Sequence, residues 1–304
     1  VNESDLHRRI FARSADLAAA FPGVIVGPGD DCAVVKSESG DVLLLKVDQV
    51  VEGRHFRGGG ATSVDLIARK AIARAVSDIA AMGGMPRWGI ASGVLPPGYA
   101  HSDELCERLA HWGRHWGAPL VGGDIATGPA GCPLCLSVSL VGVPHAARGP
   151  VLRSTAKLGD EVWVTGTIGG SLGADGNGKH LTFEPRLAEA RWLCDTLGAD
   201  LHAMMDISDG LGRDAGRLGA ASGVRLVIEG ARVPMSAGAR DVAKAAADGE
   251  DYELLFCVAP GRMKTAGPGL AGMTRMGRIE QGSGCALVLA GGEERDAAAM
   301  GWEH

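Results

Sequence analysis

Residues 62–86 read "TSVDLIARKAIARAVSDIAAMGGMP". Alanine, leucine, isoleucine and straight-chain basic residues favour helix, and the apolar positions recur at three- and four-residue spacing. Thr62 followed by Asp65 has the pattern of a capping box, and Gly83-Gly84-Met85-Pro86 ends the run. Within this expected helix Asp78 is anomalous. A helix interior offers a carboxylate no capping role, and burial among small apolar neighbours is costly without a cation.

Around this helix the elements alternate irregularly. Upstream, residues 4–20 read as a helix, and "CAVVK" (32–36) and "DVLLLKVD" (41–48) as strands joined by the turn "SESG". Downstream come a strand at 88–95, a helix from Ser102 to about Trp116, a short strand "PLVGGD" (119–124) and a strand at 135–143. Adjacent strands mixed with strand–helix–strand units predict an α+β half. "PHAARGP" (144–150) reads as a linker, dividing the chain into 1–145 and 146–304. Beyond it "EVWVTG", "AMMDIS", "VRLVIEG" and "YELLFCV" read as strands, and 185–198, 209–221 and 236–247 as helices, a second α/β half.

The 304 residues allow two domains with separate cores. A formal charge of −6 and no clustered lysine and arginine exclude a nucleic-acid surface. No apolar stretch approaches the ~20 residues of a membrane span, and no signal-peptide apolar region opens the chain, so a cytoplasmic protein is expected. Seven scattered cysteines suggest reduced thiols. Cys132-Pro-Leu-Cys135 leads into a strand and has no second pair to complete a zinc site. His111 and His115 have ligand spacing, but "HWGRH" lacks the glutamate of a metalloprotease helix.

Acidic residues recur at junctions: Asp30 and Asp31 in "GPGDDCAVV", Asp48 in "KVDQVVEGRHF", Asp78, Asp124 in "VGGDIATG", and Asp206 and Asp209 in "DISDGL". Turns and N-caps explain most of these singly. Jointly, carboxylates gathered from several strand ends, with few cations among them, are what Mg²⁺ selects together with substrate phosphates. Glycines in "GPGDD", "VGGD" and "TGTIGG" would let backbone amides approach phosphate. Neither a Walker A loop nor a kinase HRD motif occurs, so a Mg²⁺–nucleotide site outside the common nucleotide folds is expected.

Seven motifs in order, "GPGDDCAVV", "VDQVVEGRHF", "SDIAAMGGMP", "GGDIATG", "LRSTAKLGDEVWVTG", "DISDGL" and "GEDYEL", resemble those of the thiamine-monophosphate kinase family. Its superfamily includes aminoimidazole ribonucleotide synthetase and selenophosphate synthetase. The resemblance implies a two-domain, PurM-like α/β architecture with an N-terminal mixed-sheet domain forming a homodimer and a C-terminal α/β domain completing the site. It implies ATP-dependent phosphorylation of thiamine monophosphate to thiamine diphosphate, with ATP held by several Mg²⁺ ions. Asp31, Asp48, Asp78, Asp124, Asp206 and Asp209 match metal ligands, with Asp206 and Asp209 at the reacting centre. Arg153, Ser208, Gly123 and Asp124 match nucleotide contacts, and His55 and Glu250 substrate contacts. Trp302 in the terminal "GWEH" would stack on the thiamine rings.

The chain departs from the family where a Ser-Thr pair usually precedes Asp48, because Lys46-Val47 stands there. Lys46 and Asp48 share a strand face, so the ammonium either replaces one Mg²⁺, pairs with phosphate, or reaches solvent. "SLGADGNGKHLT" (171–182) is also shorter than the family's usual helical stretch. Two other functions compete: a superfamily enzyme acting on a different phosphorylated or amide substrate, and a non-catalytic Mg²⁺–nucleotide-binding module.

Overall fold

The computed structural model describes residue 6 and residues 9–12, 14–265 and 272–302. The first half contains α1 (Ser14–Ala20), β1 (Val24–Val26), β2 (Ala33–Lys36), β3 (Val42–Val51), α2 (Val64–Ala81), β4 (Gly84–Leu95), α3 (Ser102–His115), β5 (Leu120–Thr127) and β6 (Cys135–Pro144). Next come β7 (Glu161–Thr165), α4 (Lys179–Thr182), α5 (Leu187–Leu197), β8 (Leu201–Asp206), α6 (Leu211–Ser222) and β9 (Arg225–Glu229). The chain closes with α7 (Val242–Ala247), β10 (Leu254–Val258), β11 (Met273–Glu280), β12 (Gly284–Val288) and β13 (Glu294–Asp296). Two mixed sheets result: six strands in the order β1-β2-β3-β6-β4-β5, and seven in the order β13-β12-β9-β11-β7-β10-β8. Each contains one parallel pair, β4–β5 and β9–β12.

Fifteen of the eighteen residues of α2 are buried, so this helix lies inside the molecule rather than on its surface. It packs on β3, β4 and β6 of the first sheet and also touches α4, α5 and β8 of the second half. Close approach to the sheet depends on Gly142 in β6, where a Cβ would come within 2.9 Å of Ile79 Cδ1. The core around α2 includes Leu181, Phe183 and Tyr252, contributed from beyond residue 150. The polar residues buried on α2 therefore need internal partners. Arg69 lies over Trp112 and Trp116 and donates to Leu181 O and Glu184.

Several expectations are corrected. Ser63, not Thr62, caps α2, its Oγ accepting from Leu66 N, while Thr62 Oγ1 turns to Asn177 Oδ1 at 3.0 Å. Of the helix expected over 4–20, residues 6, 9–11 and Ser14–Ala20 are helical and residue 12 is a turn, while residues 4, 5, 7, 8 and 13 lie outside the described residues. The helix expected over 236–247 is only Val242–Ala247, capped by Asp241. Residues before it are drawn instead against the glycine loop, with Ile168 N donating to Pro234 O and Ser236 N to Ile168 O. Strands β11, β12 and β13 had no counterpart in the sequence reading. Among the described residues no helix is long and apolar enough to cross a membrane.

Cys132 and Cys135 are free thiols, as are the other five cysteines. His111 and His115 are exposed on α3, their rings stacked on each other at 6.4 Å.

Candidate active site

Asp31 precedes β2, Asp78 lies in the last turn of α2, and Asp206 ends β8. Their buried carboxylates each place one oxygen within 4.8 Å of the others. Asp31 Oδ2 is buried with no hydrogen-bond partner, and Ser77 Oγ donates to Asp206 Oδ2 at 2.6 Å. Burial and then the charge of Asp31 push the Asp206 carboxyl up to about 7. Burial raises Asp78 well above the carboxylate range, Lys46 opposing this and Asp206 adding to it. An orphaned buried oxygen among crowded like charges fits a hard divalent cation, and carboxylate oxygens are the donors Mg²⁺ takes.

Three basic side chains enter this acidic centre. Lys46 Nζ is 2.8 Å from Asp78 Oδ1; burial opposes its charge, but Asp78 and Asp48 outweigh this and raise its pKa. Arg74 holds Asp48 with two bonds, Nε to Oδ2 at 3.0 Å and Nη2 to Oδ1 at 3.1 Å. Arg153 pairs with Asp31, and its backbone N–H donates to Asp30 Oδ2 at 3.1 Å. Asp48 thus sits beside the trio, engaged by Arg74, rather than within it. Asp209 pairs with Arg217 on α6. Asp124 is exposed on the edge strand β5, in a cavity of about 550 Å³ that Leu105 and Cys106 also line. Within one chain the structure does not bring Asp48, Asp124 or Asp209 into the trio.

Gly123 has a packing role: a Cβ there would lie 2.0 Å from Ala91 O in the adjacent strand. Two expected anion sites are already filled by the protein's own carboxylates. The amides of Ser208 and Asp209 donate to Asp214 Oδ2 at 3.0 and 2.9 Å, and the cap of α6 is Gly210. In "TGTIGG", Gly169 N donates to Asp251 and Gly170 N to Asp248. Those amides therefore organise loops instead of facing phosphate.

Asp251 gives a pH prediction. Its Oδ1 accepts from Gly169 N and Ser171 Oγ, Oδ2 is buried without a partner, and burial pushes the carboxyl from 3.8 to about 7. The folded protein then retains a proton that the unfolded chain releases. This contribution is full below the unfolded pKa of 3.8 and is lost as pH rises through about 7. Asp251→Asn, which mimics the protonated acid, should flatten the fall in stability across that interval. Urea midpoints of wild type and variant at a series of pH values check it, and parallel curves would contradict it.

A second charged group adjoins the trio. Lys70 is fully buried; its Nζ donates to His55 O at 2.6 Å and His180 Nδ1 at 2.7 Å and pairs with Glu250. His180 Nε2 donates to Gly176 O at 3.0 Å, and Nδ1 lies 2.7 Å from Lys70 Nζ and 3.0 Å from Glu250 Oε2, accepting from the first in a neutral ring and donating to the second in a protonated one. Although burial alone would raise Glu250, His180, Lys70 and Arg74 hold it at about 2. Burial brings Lys70 down to about 8 against the pull of Glu250. Glu250 and Tyr252 adopt φ of 65° and 51°, left-handed backbone that non-glycine residues rarely take and that clusters at functional sites. Amide bonds from Glu250 to Ser208 O and from Tyr252 to Ile207 O hold them there.

Trp302 lines a cleft with Arg54, Arg74, Ser208, Asp209, Glu250 and Tyr252, and its backbone N–H donates to Asp209 O at 2.9 Å. Tyr252 stacks on Phe183, and its buried hydroxyl has no partner. The His55 ring accepts from Val51 N at 3.0 Å within its own turn. The structure thus brings Glu250, Trp302, Ser208 and Asp209 to one cleft. Sequence reading did not find Lys70, Arg74, His180, Asp214 or Tyr252. For Lys70 and Arg74 a signal existed, since with Arg69 they are three cations in a helix whose other positions between Leu66 and Ser77 are apolar.

Residues 29–143 match the family model described as AIR synthase related protein, N-terminal domain. The thiamine-monophosphate kinase of Rhodopirellula baltica is 37% identical over 258 residues, 79% of this chain and 78% of that protein. That of Mycobacterium tuberculosis is 32% identical over 309 residues, 92% and 86% of the two chains. A solved structure described as AaThiL complexed with AMPPCP and TMP superposes with a TM-score of 0.77 at 28% identity, covering 95% of each chain.

Proposed function

The chain belongs to the thiamine-monophosphate kinase family, and on that premise we propose that the Asp31–Asp78–Asp206 centre is where its phosphoryl transfer occurs. The reaction is phosphorylation of thiamine monophosphate by ATP, giving thiamine diphosphate and ADP. The single observation that carries the assignment is the buried trio with the unpartnered Asp31 Oδ2. Asp31, Asp78 and Asp206 would hold Mg²⁺, which supplies charge neutralisation between phosphate oxygens of donor and acceptor. Thiamine monophosphate already presents an anionic oxygen, so no strong general base is needed. The obstacle is aligning two polyanions, and positioning with electrostatic compensation is what this chain's residues contribute.

Arg54 and Arg74 lie in the cleft where an acceptor phosphate would arrive, and Arg74 is fixed between Asp48 and Glu250. Trp302 supplies exposed aromatic surface for a planar ring, backed by Tyr252, which is buried against Phe183, with Ser208 at the nucleotide side. The division of labour follows: 1–145 contributes Asp31, Asp78 and the cleft's Arg54 and Arg74, and 146–304 contributes Asp206 and the rest of the cleft. A homodimer is supported by the outer face of the first sheet. There Val47, Trp88, Ile90, Val121 and Ile125 are exposed, an apolar patch that a second copy would cover. In that assembly Asp124 and Gly123 would meet the partner.

Trp302→Ala tests the acceptor cleft. Loss of one aromatic stack, worth ~1–3 kcal/mol per ring, should raise KM for thiamine monophosphate about tenfold or more and leave KM for ATP unchanged. Equal increases in both constants would remove Trp302 from the acceptor side.

A further inference from the structure

Strand β3 alternates strictly between two faces: Leu45, Val47 and Gln49 are exposed, while Leu44 and Val50 are buried, and Lys46 and Asp48 between them point inward toward α2. The two inward charges meet two charges of opposite sign on that helix, Lys46 with Asp78 and Asp48 with Arg74. Both pairs are largely removed from water, with side chains 21% exposed or less. Around the acidic centre Asp30, Asp31, Asp48, Asp78 and Asp206 face Lys46, Arg74 and Arg153. With all five ionised, as binding of a cation requires, five carboxylates against three basic side chains leave two negative charges, which one divalent ion balances.

Lys46 does more than adjust this balance. Its ammonium lies 2.8 Å from Asp78 Oδ1, on a carboxylate that belongs to the trio. A divalent ion approaching that oxygen on the Lys46 side would meet a like charge within contact distance. Arg74 takes both oxygens of Asp48, so that carboxylate has no oxygen facing the trio without a guanidinium on it. The unpartnered Asp31 Oδ2 is the atom left for an ion.

We infer that Lys46 and Arg74 are built-in cations standing in place of further divalent ions, so that this chain binds one divalent ion of its own, at the Asp31–Asp78–Asp206 trio. The inference rests on reading the trio as the metal site. It makes Lys46 a positioning residue: it neutralises and fixes Asp78 and does not touch the reacting phosphates.

The experiment counts Mn²⁺ bound per chain by equilibrium dialysis and electron paramagnetic resonance, on the full chain without nucleotide. Wild type should bind one Mn²⁺. Lys46→Ser should bind one more, because Asp78 Oδ1 is released, and Lys46→Arg should match wild type. Circular dichroism melts establish that each variant is folded, and Lys46→Gln replaces the serine variant if that one is not. A folded Lys46→Ser or Lys46→Gln protein with the wild-type count overturns the inference, as does a wild type that binds two. Asp206→Asn separates the two readings: if it binds Mn²⁺ as wild type does, the trio is not the metal site and the underlying assignment fails instead.

Discussion

Replacing Asp206 by asparagine should lower kcat/KM for phosphoryl transfer by about 10³-fold or more while leaving the protein folded. Asp206 is at the end of β8, held by Leu254 across the ladder and by Ser77 Oγ on Oδ2. Asparagine preserves that shape. It removes one of three buried charges within 4.8 Å of one another, so the cation that offsets the polyanionic substrates is held far more weakly. The same change relieves repulsion between Asp206 and Asp31, so the metal-free variant should melt no earlier than wild type. Steady-state kinetics and a metal-free thermal melt check both parts. A large loss of melting temperature would mean that Asp206 is chiefly structural, and retained activity would move the site elsewhere.

Lys70→Met should produce the largest loss of stability, about 3–5 kcal/mol, because it breaks a buried charge pair by removing one partner. Lys70 is wholly enclosed, and its ammonium joins His55 O, His180 and Glu250, groups from three separate stretches of chain. Methionine fills the space but leaves Glu250 with only Arg74, at 3.5 Å, and a protonated His180, at 3.0 Å, as charged partners. The strained backbone at Glu250 and Tyr252 persists only while its surroundings hold it. The acceptor cleft should therefore loosen with the fold, giving a raised KM for thiamine monophosphate alongside a lower urea midpoint. Removing Glu250 as well, in Lys70→Met/Glu250→Gln, should recover much of the stability without recovering KM. A Lys70→Met protein as stable as wild type would contradict this account.

Much of this arrangement was legible in the sequence because it depends on local chemistry. The helix 64–81 follows from propensity and from its glycine-rich stop, and the oddity of Asp78 within it pointed to the buried acidic trio. The limits are equally physical. Lys46, Arg74 and Arg153 choose partners from distant segments, and one sequence carries no distances. Asp214 lies inside α6, and nothing at its own position shows that it folds back to bind the amides of Ser208 and Asp209. Gly169 and Gly170 looked ready for phosphate because their neighbours Asp251 and Asp248 lie 82 and 78 residues away in the chain. Strands β11 to β13 escaped notice because arginines and glycines interrupt their apolar alternation, and sheet pairing, not pattern, makes them strands.

The central claim is tested most directly by incubating the full chain with ATP, Mg²⁺ and thiamine monophosphate and measuring ADP and thiamine diphosphate in the same samples. One thiamine diphosphate should form for each ADP, with both products lost in Asp206→Asn. ADP without thiamine diphosphate, or no product from a folded protein that binds ATP, would contradict it.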